Sequence, residues 1–386
     1  MNPRVLFLDH SGALGGAELY LLDVVHAFAN TSHVSVFADG PFPERLAAEG
    51  LPHTVLGARD TVLSVTRGGT LGTLLRAVPE VVRLTWRVAR QARDYDVVYA
   101  NSQKALIIGG LAAALVRRPL IWNLHDLLTA DHFSGGMRRL AVTWSNLFAR
   151  HVVVNSQATE AAYRSSGGRV PTKVVYNGID AQPFDDVTDE EVKRVREALK
   201  LGSGPVVGVF SRLAAWKGQH VLIEALRRAP QWNALFVGDA LFGADAAYAK
   251  TLHQLVRRHG LEDRVQFAGF RSDVPVLMKA VDAVAHTSTA AEPFGRVVVE
   301  GMLSGTPVIA MDAGGPREIV THGETGFLVP PENPQAMAAA LQWLQAHPEA
   351  AQEMTAAAAS RARTRFSVAR MRKDLARVVN MVLGAR

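Results

Sequence analysis

Short apolar runs recur along the chain, each followed by a longer stretch in which apolar residues return every three or four positions. In the first half the runs fall at 4–9 (RVLFLD), 33–38 (HVSVFA), 96–101 (DVVYAN), 120–125 (LIWNLH) and 151–156 (HVVVNS). A helical pattern covers 17–29, and further ones separate the later runs. The pattern restarts at 205–212 (PVVGVFSR) and continues at 233–240, 264–270, 283–288 and 307–315. Strands alternating with crossover helices imply parallel sheets. Between the halves lies YNGIDAQPFDD (176–186), followed by the charged stretch DEEVKRVREALK (189–200). Asn-Gly is a turn signal, so the hinge is placed there. The pattern predicts an α/β chain of two Rossmann-like domains facing each other across a cleft. Ligands of such open sheets bind beyond the carboxyl ends of the strands.

Composition narrows this picture in three ways. At 386 residues the chain is too long for one ordinary core, which agrees with two domains. It has no cysteine, which removes disulfides, thiolate nucleophiles and cysteine–zinc sites. The apolar run Val5–Leu8 is shorter than a signal-peptide core, and no stretch approaches a membrane span, so a cytoplasmic location is expected. A net charge of +6 leaves nucleotide, phosphorylated substrate, lipid surface and nucleic acid open as partners.

Four stretches carry candidate chemistry. In DHSGALGGAELY (9–20), glycines that include Gly15 and Gly16 sit between a strand end and a helix start. There backbone N–H groups can approach a phosphate or sugar oxygen, although a tight structural turn explains the glycines too. The spacing is neither G-x-G-x-x-G nor a P-loop, which disfavours a dinucleotide. In SRLAAWKG (211–218), Arg212 and Lys217 follow a strand at the opening of a helix, an arrangement suited to a diphosphate. His125 closes the run LIWNLH, where a ligand contact and a structural hydrogen bond are equally consistent with its position. Finally, EPFGRVVVE places Glu292 in a loop and Glu300 within the helix expected over 295–304. A carboxylate then lies on each side of a helix start whose N–H groups favour anions. Sugar hydroxyls, diphosphate and ribose diol follow one another in that order in a nucleotide sugar. Asp94-Tyr95-Asp96 matches a metal-binding Asp-x-Asp, but it precedes a strand and so falls on the wrong edge. No metal site and no cofactor is expected.

These residues resemble the retaining GT-B glycosyltransferases of family 4 (group 1). That family's E-x7-E is matched by EPFGRVVVE, its R-x4-K-G by RLAAWKG, and its V-x-F-x-G by VQFAG (265–269). GTPVIAMDAGGPREIV, GETGFLVPPENP, GGAE, HD and YNGID are similar as well, so the resemblance spans essentially the whole chain. It implies a GT-B fold with an acceptor-binding domain at 1–178 and a donor-binding domain at 179–365. The last helix, 366–386, would cross back onto the first domain.

The resemblance also implies roles. Glu292 would hold donor-sugar hydroxyls, while Phe294, Gly295 and Arg296 present N–H groups to sugar and phosphate. Glu300 would bind the ribose, and Arg212 and Lys217 would neutralise the leaving diphosphate. His125 would lie under the transferred sugar, Gly15 and Gly16 would frame the phosphate and acceptor region, and Phe270 and Arg271 would meet the base. The expected reaction is metal-independent transfer from a nucleoside-diphosphate sugar to a glycan, lipid-linked or cell-envelope acceptor, with the sugar nucleotide as co-substrate. A nucleotide-sugar epimerase and a non-enzymatic nucleotide-binding module are the alternatives. Nucleic acid is disfavoured because the arginines lack aromatic stacking motifs.

One further pattern concerns location. In PEVVRLTWRVARQAR (79–93), read as a helix opening at Pro79, Arg83, Arg87 and Arg90 share a face. Val81, Val88 and Ala92 lie opposite, with Trp86 beside the arginines. Two readings stand: a solvated basic face, or peripheral contact with anionic lipid on the inner face of a membrane.

Overall fold

In the computed structural model, which describes residues 3–58, 71–202, 204–240 and 243–384, the chain divides into two compact units. One is Met1–Gly178 with Val368–Arg386, the other Ile179–Ser367.

The first unit is built on a parallel sheet. Its described strands are β1 (Val5–Asp9), β2 (Ser32–Val36), β3 (His53–Val55), β4 (Val97–Ala100), β5 (Leu120–Leu124), β6 (His151–Val154) and β7 (Thr172–Val174). Their order is β3-β2-β1-β4-β5-β6-β7, with Val5 of β1 in register with Ser32 on one side and Val97 on the other. Every residue of β1, β4 and β5 is buried. Strands covered on both faces read as unbroken apolar runs, which is why no alternation shows in the sequence. The period of two reappears in the packing. Leu6 and Leu8 join one core with Leu84, Val88 and Trp122, whereas Val5 and Phe7 join another with Leu375 and Val379. The last two belong to the helix Val368–Gly384, so the chain's end helps to cover this sheet.

The second unit repeats the design with β8 (Val206–Phe210), β9 (Asn233–Val237), β10 (Val265–Phe267), β11 (Ala283–Ala285), β12 (Val308–Met311) and β13 (Phe327–Val329), in the order β10-β9-β8-β11-β12-β13. In each sheet the strand order reverses beside the first strand, at β1/β4 and at β8/β11. That crevice is where open α/β sheets receive ligands.

Two expectations need correcting. The strands end earlier than the apolar runs that announce them: β8 stops at Phe210 and β11 at Ala285. Ser211–Arg212 and His286–Ser288 are therefore loop residues at the carboxyl edge. The arginine-bearing helix runs Leu71–Ala92 with Pro79 inside it rather than at its start. Proline removes one N–H from the ladder but holds a helical φ, so the helix continues on both sides. Val88 and Ala92 are buried as the periodicity required, and Val81 is half-buried. Residues 59–70, between β3 and this helix, lie outside the described residues.

Candidate active site

The site of the second unit grows from the carboxyl ends of β8 and β11. After β8 the chain passes Arg212, makes a single 3-10 turn over Ala215–Lys217 and enters the helix Gln219–Leu226 through Gly218. Gly218 has φ +67, and a Cβ there would come within 2.1 Å of the Thr287 carbonyl oxygen. The approach is fastened by the Thr287 hydroxyl, which donates to the Lys217 carbonyl at 2.7 Å. The β8 loop is thus held against the loop leaving β11, and their side chains meet.

They meet on Glu292. This carboxylate is 7% exposed, its Oε1 accepts from the Lys217 ammonium and from the Ser288 hydroxyl at 2.6 Å, and His286 Nε2 lies 3.0 Å from it. Burial alone would push its carboxyl up, but the adjacent Lys217 ammonium and the His286 ring outweigh this and hold it well below the usual range. Its backbone is fixed as well: the Gly315 N–H donates to the Glu292 carbonyl at 2.9 Å. A Cβ on Gly314, whose φ is +66, would fall 2.3 Å from that same oxygen.

Glu300 sits in the opposite electrostatic setting. It lies in the helix Arg296–Leu303, which Gly295 caps from a left-handed conformation (φ +100). Burial raises its carboxyl, and Arg296, with Nε 3.6 Å away, offsets this only in part. Glu300, Arg212, Phe270 and Arg271 line one cavity of about 260 Å³, together with Gly238 and Asp239 at the end of β9. Phe270 is 76% exposed, an unusual position for a phenyl ring. Arg271 is tied to Asp273 by two hydrogen bonds, at 2.8 and 2.6 Å. Arg212 Nη1 is 3.8 Å from Asp245 Oδ2. The Phe294 side chain, in contrast, is packed away, 3% exposed with its ring 5.8 Å from that of Phe366, so the role expected of this residue rests on its backbone N–H.

In the first unit the carboxyl edge is a hydrogen-bonded network around the buried Asp9 carboxylate. Asn101 donates to Asp9 at 2.5 Å, and its Oδ1 lies 2.9 Å from His125 Nε2 and 2.8 Å from Asn123 Nδ2. Tyr20 meets the His125 ring edge-on at 4.7 Å. The Gly15 N–H, expected to face a phosphate, instead donates to the Glu18 carboxylate at 3.0 Å in a capping box, and Gly16 opens the helix Gly16–Val25. The competing partner is local: Glu18 stands three residues into its own helix, where such a carboxylate reaches back.

Sequence reasoning missed His286, Ser288, Asp245 and the Asn101–Asn123 pair. His286 was accessible to the carboxyl-edge rule, had the apolar run AVAHTS been ended after its first three residues. Asp96 of the discounted Asp-x-Asp precedes β4 and accepts the Arg4 N–H at 2.9 Å. Among the described residues no cluster of three or more His, Asp or Glu is arranged to hold a metal ion.

The family follows from comparison with known proteins. Residues 191–361 match the model for glycosyl transferases group 1, and residues 14–183 that for glycosyltransferase family 4. The crystal structure of Anabaena Alr3699/HepE in complex with UDP-glucose is 42% identical, covers 98% of this chain and 100% of that one, and superposes with a TM-score of 0.87. The chain belongs to the GT-B glycosyltransferases of group 1/family 4. Human alpha-1,3/1,6-mannosyltransferase ALG2 is 26% identical to this glycosyltransferase over 99% of the chain and 97% of its own length. The lipopolysaccharide core mannosyltransferase LpsB of Rhizobium meliloti is 31% identical over 53% of the chain and 59% of its length.

Proposed function

We propose that this glycosyltransferase moves a hexosyl group from a UDP-sugar to an acceptor hydroxyl, with retention of anomeric configuration and without a metal ion. The observation that carries the reading is the buried Glu292 held by Lys217, in the same unit as a cavity lined by Arg212, Glu300 and Phe270. UDP-glucose in the similar Anabaena structure supports uracil as the base.

In this reading Phe270 stacks on the base, Glu300 accepts hydrogen bonds from the ribose diol, and Glu292 does so from the donor-sugar hydroxyls. Phe294, Gly295 and Arg296 present backbone N–H groups to sugar and phosphate. The bond between the anomeric carbon and the β-phosphate oxygen breaks, and Arg212 and Lys217 stabilise the charge developing on that oxygen. The acceptor oxygen attacks from the face the phosphate leaves, and its proton passes to the departing phosphate. Two fixed cations supply the charge that a divalent ion supplies elsewhere, which supports metal independence. In the first unit, the network through Asn101 orients His125 for the transferred sugar.

The test is a thermal-shift and turnover panel of UDP-, GDP- and ADP-sugars, with and without EDTA. UDP-sugars should stabilise the protein most, and turnover should survive chelation. Loss of transfer in EDTA, restored by Mg²⁺ or Mn²⁺, would contradict the metal-free mechanism.

The acceptor is proposed to be a glycan or lipid-linked intermediate of the cell envelope, handled in the cytoplasm, with the first unit in peripheral contact with anionic lipid. Among the described residues no helix is long and apolar enough to cross a membrane. One observation modifies the expected contact. Arg83 and Arg87 are drawn toward the carbonyls of Gly57 and Leu56, at 2.7 and 2.6 Å, while Arg90 stays exposed. The same helix leaves Val82 and Trp86 exposed beside Leu115, so lipid would meet an apolar strip rimmed by arginine. Liposome sedimentation should show binding to anionic vesicles that weakens at high salt and on changing Arg83, Arg87 and Arg90 together to Ser. Equal recovery on neutral vesicles would favour a soluble acceptor.

A further inference from the structure

We propose that Trp216 is a positioning residue for the leaving diphosphate: a single indole ring that holds Arg212 and Lys217 together before the donor arrives. The inference rests on the assignment of those two cations to the diphosphate.

Its ground is the geometry of the β8 loop. The Lys217 ammonium lies 4.3 Å from the centroid of the Trp216 ring, and the Arg212 guanidinium carbon lies 5.6 Å from the same ring. Both are inside the range at which the negative face of an aromatic ring attracts a cation. A site for a dianionic leaving group has to gather like charges in advance, and those charges repel one another while the site is empty. Glu292 compensates Lys217 directly. Asp245 Oδ2 lies 3.8 Å from the Arg212 guanidinium. The indole is the one group in contact with both cations among the cation–ring pairs described.

The ring is itself firmly placed. The Trp216 carbonyl accepts from the Thr289 N–H at 2.8 Å and from the Thr289 hydroxyl at 3.3 Å, and the Lys217 carbonyl accepts from Thr287. The main chain on both sides of the indole is therefore strapped to the loop that leads to Glu292. An aromatic ring suits this place better than a carboxylate would. It lowers the repulsion between the cations without competing with phosphate for their N–H groups, since it accepts no conventional hydrogen bond through its face. The expected signature is a loss of affinity that depends on the phosphates and leaves nucleoside recognition untouched.

The experiment compares the wild type with Trp216→Phe, Trp216→Leu and Lys217→Ala. Each is titrated with UDP by calorimetry and with uridine by NMR, and unfolding midpoints are recorded without ligand. Trp216→Leu should bind UDP about tenfold more weakly and uridine within about twofold of wild type, while Trp216→Phe, which keeps a ring, should stay within about threefold for UDP. Intrinsic fluorescence should change on UDP binding in the wild type and much less in Trp216→Phe. Wild-type UDP affinity in Trp216→Leu overturns the inference, as does a parallel loss of UDP and uridine, which would make Trp216 merely structural. If Lys217→Ala itself binds UDP like the wild type, the underlying site assignment fails instead.

Discussion

The two carboxyl edges of this molecule make an instructive pair. Both units put the same strand order around the same reversal point, β1/β4 in one and β8/β11 in the other. At the first edge the side chains that converge are amides, a histidine and a tyrosine around one buried carboxylate, Asp9. At the second they are two cations, a buried histidine and two glutamates, with an exposed phenyl ring alongside. The backbone scaffold is common, so the chemistry resides in what each loop carries. An edge of hydrogen-bonding amides suits hydroxyl-bearing groups, and one that carries two cations suits a diphosphate.

The sharpest way to break this contrast is to remove charge from the second edge. Lys217→Ala should lower turnover by roughly 10²–10³-fold, the usual cost of one preorganised electrostatic contact. It should also destabilise the unit, because Glu292 stays buried without its cation, at a cost of about 3–5 kcal/mol. Adding Glu292→Gln should restore most of that stability in chemical denaturation while turnover remains low. Recovery of both together would mean that Lys217 is structural only.

At the first edge the corresponding change is Asn101→Leu, which strips the hydrogen bonds reaching Asp9 and His125. A loss of about 1–3 kcal/mol in stability is expected, with UDP affinity unchanged. A large fall in UDP affinity would erase the distinction between the edges. Phe270→Ala is a gentler probe: the ring is exposed, so stability should shift by no more than about 0.5 kcal/mol. UDP affinity should nonetheless fall roughly tenfold, as for a stacked base.

The smallest expected effect separates the two glutamates by pH. The Glu292 carboxyl is held well below its ordinary value, so the unfolded chain takes up its proton first on acidification. Its stabilisation is present above the unfolded pKa of about 4.3 and disappears as pH falls through the lower folded value. Glu300 is raised, so it disfavours folding as pH climbs from about 4.3 through its folded value. Glu292→Gln should therefore flatten the acid limb of the stability profile, and Glu300→Gln should raise stability at neutral pH. Profiles that coincide with wild type would remove the electrostatic asymmetry claimed for this edge.

How much of this was legible in the chain follows from the same physics. The doubly wound sheets could be read because strands buried on both faces leave long apolar runs, and β1 and β8 stand where RVLFLD and PVVGVFSR announce them. The edge strands β3, β7 and β13, with three residues each, left no such run and went unread. Within the site, Arg212, Lys217, Glu292 and Glu300 were visible because charge interrupts apolar sequence near strand ends. His286 was not, because it continues an apolar run and its proximity to Glu292 depends on two loops meeting in space. The engagement of the Gly15 N–H by Glu18 was similarly hidden, since glycine spacing says nothing about which acceptor wins.

The central claim is that Glu292 serves the donor sugar and Glu300 the nucleotide, and calorimetry with UDP and UDP-glucose tests it most directly. Glu292→Gln should retain UDP affinity while losing the difference between UDP-glucose and UDP. Glu300→Gln should weaken both ligands by the same factor. Wild-type affinities for both ligands in both variants, or an equal loss of both ligands in Glu292→Gln, would contradict the account.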